Sequence, residues 1–246
     1  KQMAFWNTAE KLRNKLLPCS MVVAAAGAST RMGGQDKLTA DLAGVPVLMR
    51  TLCAIDGAAL VSEIVVAAQP EKLEEIAALC ARAALHKPVK VIRGGASRVE
   101  SVLAAALECD RGTELIAIHD GARPLIRPEL IDDMIRAGYR TQAAAPAVPV
   151  TDTVKIADSS GMVLSTPDRA SLYAVQTPQV FQANILKAAL QAALADATAI
   201  TDDCAAVERL GKQVWLVPGD PANIKITTPA DLAVAEALLR QREAAR

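Results

Sequence analysis

The chain has 246 residues, 27 Lys+Arg against 27 Asp+Glu, and therefore a formal net charge of zero. No run of like charges and no apolar run near the ~20 residues of a membrane span is present, which excludes a nucleic-acid footprint and a bilayer-spanning helix. Apolar residues are 52% of the chain but aromatics only 2%, so a core of Ala, Val, Leu and Ile is expected, suited to helices packed on a parallel sheet.

Residues 1–18 form an N-terminal extension, with Phe5, Ala9, Leu12 and Leu16 at helical spacing, and charges spread through them unlike a secretory signal. Five scattered cysteines without a C-x-x-C pair fit packed free thiols in a reducing compartment, so a cytoplasmic location is expected. With only His86 and His119, a His/Cys metal site is disfavoured.

From residue 19 to 246 the pattern predicts one domain of alternating strand and helix. Strands are expected at Met21–Ala26, Glu63–Ala67, Val89–Ile92, Glu114–His119 and Ala143–Val148. Helices are expected at Val47–Ile55, Glu71–Ala84, Arg98–Glu108 and Pro128–Ala137. Such alternation with short links argues for right-handed βαβ units and a parallel sheet covered on both faces, an α/β fold in three layers. At about 149–173, Thr and Val at strand-like spacing around an Asp-Ser-Ser-Gly turn predict a hairpin arm. Helices at Ala183–Leu194 and Asp202–Leu210, strands at Val214–Val217 and Asn223–Ile226, and a helix from Pro229 complete the reading.

In an open parallel sheet, ligands collect beyond the carboxyl ends of the strands. The first strand runs into Gly27-Ala28-Ser29-Thr30-Arg31, which is neither G-x-G-x-x-G nor a P-loop. A hydride-transfer dinucleotide site is thus disfavoured. Tiny residues still let backbone N–H groups approach a phosphate, with Arg31 and Lys37 within reach of its oxygens. The third strand ends in Arg93-Gly94-Gly95-Ala96-Ser97-Arg98, where a glycine pair opens a helix and leaves room for a flat base. The fourth ends in His119-Asp120-Gly121-Ala122-Arg123; an Asp beside phosphates holds Mg²⁺ or a ribose hydroxyl, and Arg123 can fork onto a second anion. Cations in several loops, one carboxylate and no nucleophile triad match phosphoryl-type transfer, in which positioning and charge neutralisation do the catalysis.

Seven segments occur in order: "AAAGASTRM…DK", "GGASRVESV", "HDGARP", "PVTDTVK", "DR…TPQVF", "TDD…E" and "NIKITTPADLAVAE". Together they resemble the 2-C-methyl-D-erythritol 4-phosphate cytidylyltransferases of the non-mevalonate isoprenoid pathway, over about Met21 to Leu239. The resemblance implies a Rossmann-like fold with a protruding β-arm that clasps a second subunit in a homodimer. It implies CTP as co-substrate with Mg²⁺, and methylerythritol phosphate as the nucleophile. Carried over, Ala25, Ala26, Gly27, Gly95, Ser101, Asp120 and Gly121 would surround CTP. Arg31 and Lys37 would neutralise charge on the α-phosphate, and Asp120 is the candidate metal contact. Arg169 and Lys225 would position the attacking phosphate, helped by Asp120, Arg123, Thr153 and Thr201, with the arm residues acting across the dimer.

Three positions depart from the family pattern: Asp36 where Pro is common, Ala96 where an acid is common, and Gly121 where Ala is usual. The same CTP motifs also serve enzymes acting on another alcohol phosphate such as ribitol 5-phosphate. A non-catalytic nucleotide-binding module is the alternative of a different class.

Overall fold

A computed structural model describes residues 19–27, 32, 36–196 and 200–244. The expected N-terminal extension, 1–18, and Arg31 lie outside the described residues.

The chain opens with β1 (Cys19–Ala25), a short hairpin of β2 (Asp41–Leu42) and β3 (Val45–Pro46), α1 (Val47–Asp56) and β4 (Val61–Ala68). A 3₁₀ turn at Pro70–Lys72 leads into α2 (Leu73–Arg82), followed by β5 (Val89–Arg93), α3 (Arg98–Glu108) and β6 (Leu115–Asp120). Then come α4 (Pro128–Thr141), β7 (Ala143–Pro149), a small hairpin of β8 (Ile156–Ala157) and β9 (Val163–Ser165), and β10 (Tyr173–Val175). The rest is β11 (Gln179–Gln182), α5 (Ala183–Ala195), α6 (Asp203–Arg209), β12 (Trp215–Pro218) and α7 (Pro229–Ala244).

Strands β5, β4, β1 and β6 lie side by side and parallel. Next to β6 runs β11, antiparallel to both β6 and β7, and β12 pairs β7 in parallel at the far edge. The sheet is therefore mixed but mostly parallel, with helices on both faces, a Rossmann-like α/β arrangement. Its central strands β1, β4, β6 and β7 are mostly buried on both faces, as crossover helices require. Along β1, Met21, Val23 and Ala25 point to one core while Val22 points to the other. On β4, Ile64, Val66 and Ala68 join the first core, and Val65 and Ala67 the second. This period of two in runs of Val and Ile is the physical reason these segments are strands.

Two expectations differ from the structure. The segment Asn223–Ile226 joins no ladder, and the edge of β7 is taken by β12. It is held instead by Asn223, whose side-chain amide donates to the Thr177 carbonyl at 2.9 Å, and by the Ile226 N–H on the Ala122 carbonyl at 2.8 Å. Strands β10 and β11 were not expected at all, and their antiparallel pairing makes the sheet mixed.

Between β7 and β10 the chain leaves the sheet. Asp158 closes the turn of the β8–β9 hairpin, accepting from the N–H groups of Ser160 at 2.9 Å and Met162 at 3.0 Å. Gly161 takes φ +90°, which only glycine adopts freely. Val154, Ile156, Met162, Val163 and Leu164 are all exposed here.

Candidate functional site

A cavity of about 840 Å³ opens at the carboxyl ends of β1, β4, β5 and β6, within the size range of ligand sites. Its wall includes Ala24–Gly27 at the end of β1, Gln69–Glu71 after β4, and Arg93–Arg98 from the end of β5 to the start of α3, with Ser101 in α3. Asp120 at the end of β6 and Ala122 after it, with Lys37, Leu38 and Lys225, complete it. Of the expected nucleotide contacts, Ala25, Ala26, Gly27, Gly95, Ser101 and Asp120 all lie on this wall. Gly121 is packed beneath it, its carbonyl accepting from the Thr51 hydroxyl at 2.9 Å.

The glycine pair is shaped by its neighbours. The Gly94 N–H reaches the Ala68 carbonyl at 2.7 Å, and the Gly95 N–H reaches Ser101 Oγ at 3.0 Å. Ser97 caps α3 by accepting from the Glu100 N–H at 3.1 Å. A Cβ on Gly94 would stand 2.8 Å from Ala26 Cβ and 2.9 Å from Ser101 Oγ, closer than side chains pack. Gly94→Ala should therefore cost about 1–3 kcal/mol of stability and raise the KM for the nucleotide. A melting midpoint unchanged by the substitution would show that the two walls are free to move apart.

Electrostatics centre on Asp120. Its Oδ1 meets Arg98 Nη1 at 3.1 Å, and its Oδ2 meets Arg123 Nε at 3.2 Å and Lys225 Nζ at 3.1 Å. Burial alone would raise the carboxyl, but the cations of Arg98, Lys225 and Arg123 outweigh it and hold Asp120 well below the usual carboxylate range. Arg98 also grips Asp203 Oδ2 at 2.6 Å. Arg123 is turned away from the cavity, donating through Nη1 to the Asn223 carbonyl at 2.7 Å.

His119 is buried beside this cluster. Thr177 Oγ1 accepts the Asp120 N–H at 3.0 Å and lies 2.9 Å from His119 Nδ1. The other ring nitrogen, Nε2, faces the Arg123 carbonyl at 3.4 Å. Burial pushes the imidazole down to about 4. The unfolded chain takes up this proton near pH 6.5 and the folded chain does not, so stability is full above that pH and falls between 6.5 and 4. The loss from this group should reach roughly 3 kcal/mol, and His119→Asn, a polar side chain that does not titrate, should flatten that limb in urea titrations. An equally steep limb in the variant would assign the acid sensitivity elsewhere.

Thr153, Arg169 and Thr201 are exposed and do not line the cavity. Arg169 Nη1 donates to the Thr151 carbonyl at 2.8 Å, which fixes the arm's entry next to Thr153. Asp202 caps α6, accepting from the Ala205 N–H at 2.9 Å, and Asp203 follows it into the interior. Among the described residues, no cluster of three or more His, Cys, Asp or Glu could hold a metal, and no helix is long and apolar enough to cross a membrane.

Sequence reasoning passed over Arg98 and Asp203 as functional residues. One signal was available: Arg98 is the first residue of α3, where a cation opposes the helix dipole and needs an acidic partner to sit.

Comparison with known proteins gives a consistent picture. A family model described as 2-C-methyl-D-erythritol 4-phosphate cytidylyltransferase matches residues 19–241. A protein of that name from Caldanaerobacter subterraneus is 45% identical over 90% of this chain and 99% of its own, and one from Microcystis aeruginosa is 43% identical over 90% and 99%. Among solved structures, 4-diphosphocytidyl-2C-methyl-D-erythritol synthase from Anaerococcus prevotii superposes with a TM-score of 0.81 at 29% identity, covering 92% of this chain and 100% of its own. The 2-C-methyl-D-erythritol 4-phosphate cytidylyltransferase of Thermus thermophilus gives a TM-score of 0.72 at 30% identity, over 90% and 98%.

Proposed function

The chain belongs to the 2-C-methyl-D-erythritol 4-phosphate cytidylyltransferase family, and we infer from this that it joins CTP and 2-C-methyl-D-erythritol 4-phosphate. The products are 4-diphosphocytidyl-2-C-methyl-D-erythritol and pyrophosphate, in isoprenoid precursor biosynthesis. The observation that supports this chemistry is the cavity itself, where backbone of tiny residues faces Lys37, Lys225 and one carboxylate kept ionised.

The substrate phosphate is already ionised, so its oxygen attacks the α-phosphorus without a general base. A new P–O bond forms as the bond to the leaving pyrophosphate breaks. We assign charge neutralisation at the α-phosphate to Lys37 and Arg31, and the contacts to CTP to Ala25, Ala26, Gly27, Gly95, Ser101 and Asp120. Gly121 serves from below, as packing against β1. Lys225 sits where it can pass from Asp120 to an incoming phosphate, being the most exposed of the three cations on that carboxylate. Arg123 supports the attacking phosphate indirectly, by holding Asp120 and the 223–225 segment.

A divalent cation fits this site as one carried in on the nucleotide. Mg²⁺ is commonly bound by one or two carboxylates plus phosphate oxygens, and Asp120 is the ionised carboxylate at the strand ends on this wall. When bound, Mg²⁺ would share the negative charge that develops on the phosphates.

Thr153 and Arg169 are assigned to the attacking phosphate of a second subunit, and Thr201 to the same phosphate. The exposed apolar side chains of the arm support a homodimer, since Met162, Val163 and Leu164 would be covered by a partner copy. A cytoplasmic location is part of the same reading, since both substrates are small soluble phosphates.

Pyrophosphate release with CTP and Mg²⁺, using 2-C-methyl-D-erythritol 4-phosphate and ribitol 5-phosphate in parallel, tests it. Turnover with the first substrate alone is expected. Turnover with ribitol 5-phosphate alone would overturn the substrate, and nucleotide binding with no turnover on either would leave a binding module.

A further inference from the structure

Asp203 is 1% exposed, lies off the cavity wall, and contacts no group that the reaction uses directly. Its carboxylate nonetheless holds Arg98 at 2.6 Å, and the same guanidinium holds Asp120 Oδ1 at 3.1 Å. Arg98 Nε has no hydrogen-bond partner, so the two Nη contacts carry its side chain. Arg98 draws no benefit from its own helix, whose N-terminal dipole disfavours a cation.

A carboxylate's last torsion is broad and roughly two-fold, so the Asp120 side chain has no intrinsic preference for where each oxygen points. Its partners must impose one. Resting on the cytidylyltransferase reading, we propose that Arg98 and Asp203 are positioning residues for the reaction: Asp203 anchors Arg98, and Arg98 fixes the rotation of the Asp120 carboxylate. One oxygen is thereby occupied, and the other faces Lys225 and Arg123. The residues span 98, 120 and 203, so the device links the α3 start, the end of β6 and the α6 start at one point.

A plain structural brace between α3 and α6 would use the same contacts, and it predicts different numbers. Arg98→Lys keeps the charge but cannot fork onto two carboxylates, and Asp203→Asn keeps the shape but removes the charge that holds the guanidinium. Positioning predicts that each lowers kcat about tenfold or more in variants that still fold, with the KM for CTP changed by less than about threefold. The double variant should be no worse than the weaker single one, because the two act as a unit.

The assay is pyrophosphate release with CTP, Mg²⁺ and methylerythritol phosphate, below the melting midpoint of every variant, with CTP affinity by calorimetry. Unchanged kcat in the folded variants, losses that multiply in the double variant, or failure of both single variants to fold would make the pair a brace and overturn the proposal. The wild type separates the two readings: if it is silent, the cytidylyltransferase reading falls and this one with it. If it is active and the variants match it, only the positioning role falls.

Discussion

Lys37→Ala is expected to lower kcat by about 10²–10³ while leaving the fold and CTP binding close to wild type. The ammonium lines the cavity beside Gly27, where a Cβ would lie 3.8 Å from Nζ. Its backbone is fixed on both sides. Asp36 Oδ1 accepts the Leu38 N–H at 3.0 Å, and the other carboxylate oxygen of Asp36 is ion-paired with Lys72 at the 3₁₀ turn. Leu38 is buried, and its carbonyl accepts the Leu48 N–H at 2.9 Å. A cation held this way needs little reorganisation as charge builds on the α-phosphate, so its effect falls on the transition state more than on ground-state binding. Steady-state kinetics with both substrates varied would read this as a kcat loss with a small change in KM. Near-normal turnover would remove Lys37 from the mechanism. The Asp36–Lys72 pair also gives Asp36 a role: it fixes the approach to Lys37 with an ion pair.

How far the sequence foretold the structure depended on the range of each interaction. Strands β1, β4 and β6 were legible because doubly buried Val and Ile runs carry their own signal in six to eight residues. Helix α3 was legible from one apolar stripe and its Ser97 cap. Strand β11 was not: only Val180 and Phe181 are apolar cores in four residues flanked by Gln, and its order comes from two long neighbours, β6 and β7. Asn223–Ile226 failed in the opposite direction. Its apolar residues predicted a strand, yet Asn223 is fully buried and committed to Thr177 and Arg123, so its polar bonds fixed the path instead of a ladder. In the site, the glycine loop, Lys37, Asp120 and Lys225 could be read one at a time, since each stands at a strand end or in a cationic loop. The Arg98–Asp203 contact joins residues 105 positions apart, and no local pattern encodes that distance.

Asp120→Asn should abolish most turnover and also destabilise the fold. It leaves Arg98, Arg123 and Lys225 without the carboxylate they share, and breaking a buried ion pair costs about 3–5 kcal/mol. The low end is expected, because Arg98 keeps Asp203, Arg123 keeps the Asn223 carbonyl, and half-exposed Lys225 can turn to water. At about 2–4 °C per kcal/mol for a chain of this size, the melting midpoint should fall by roughly 6–12 °C. The acid dependence gives an independent check. Asp120 is held below the ordinary carboxylate value, so its contribution is fully present above about pH 4 and is lost as pH falls through its own lower value. The stability gap between wild type and variant should therefore be flat from pH 7 to 5 and close only in stronger acid. The His119 limb, lying between 6.5 and 4, should persist in both proteins. A gap that closes already near neutral pH would mean that Asp120 is protonated in the folded chain, and the arrangement of three cations around one ionised carboxylate would have to be abandoned.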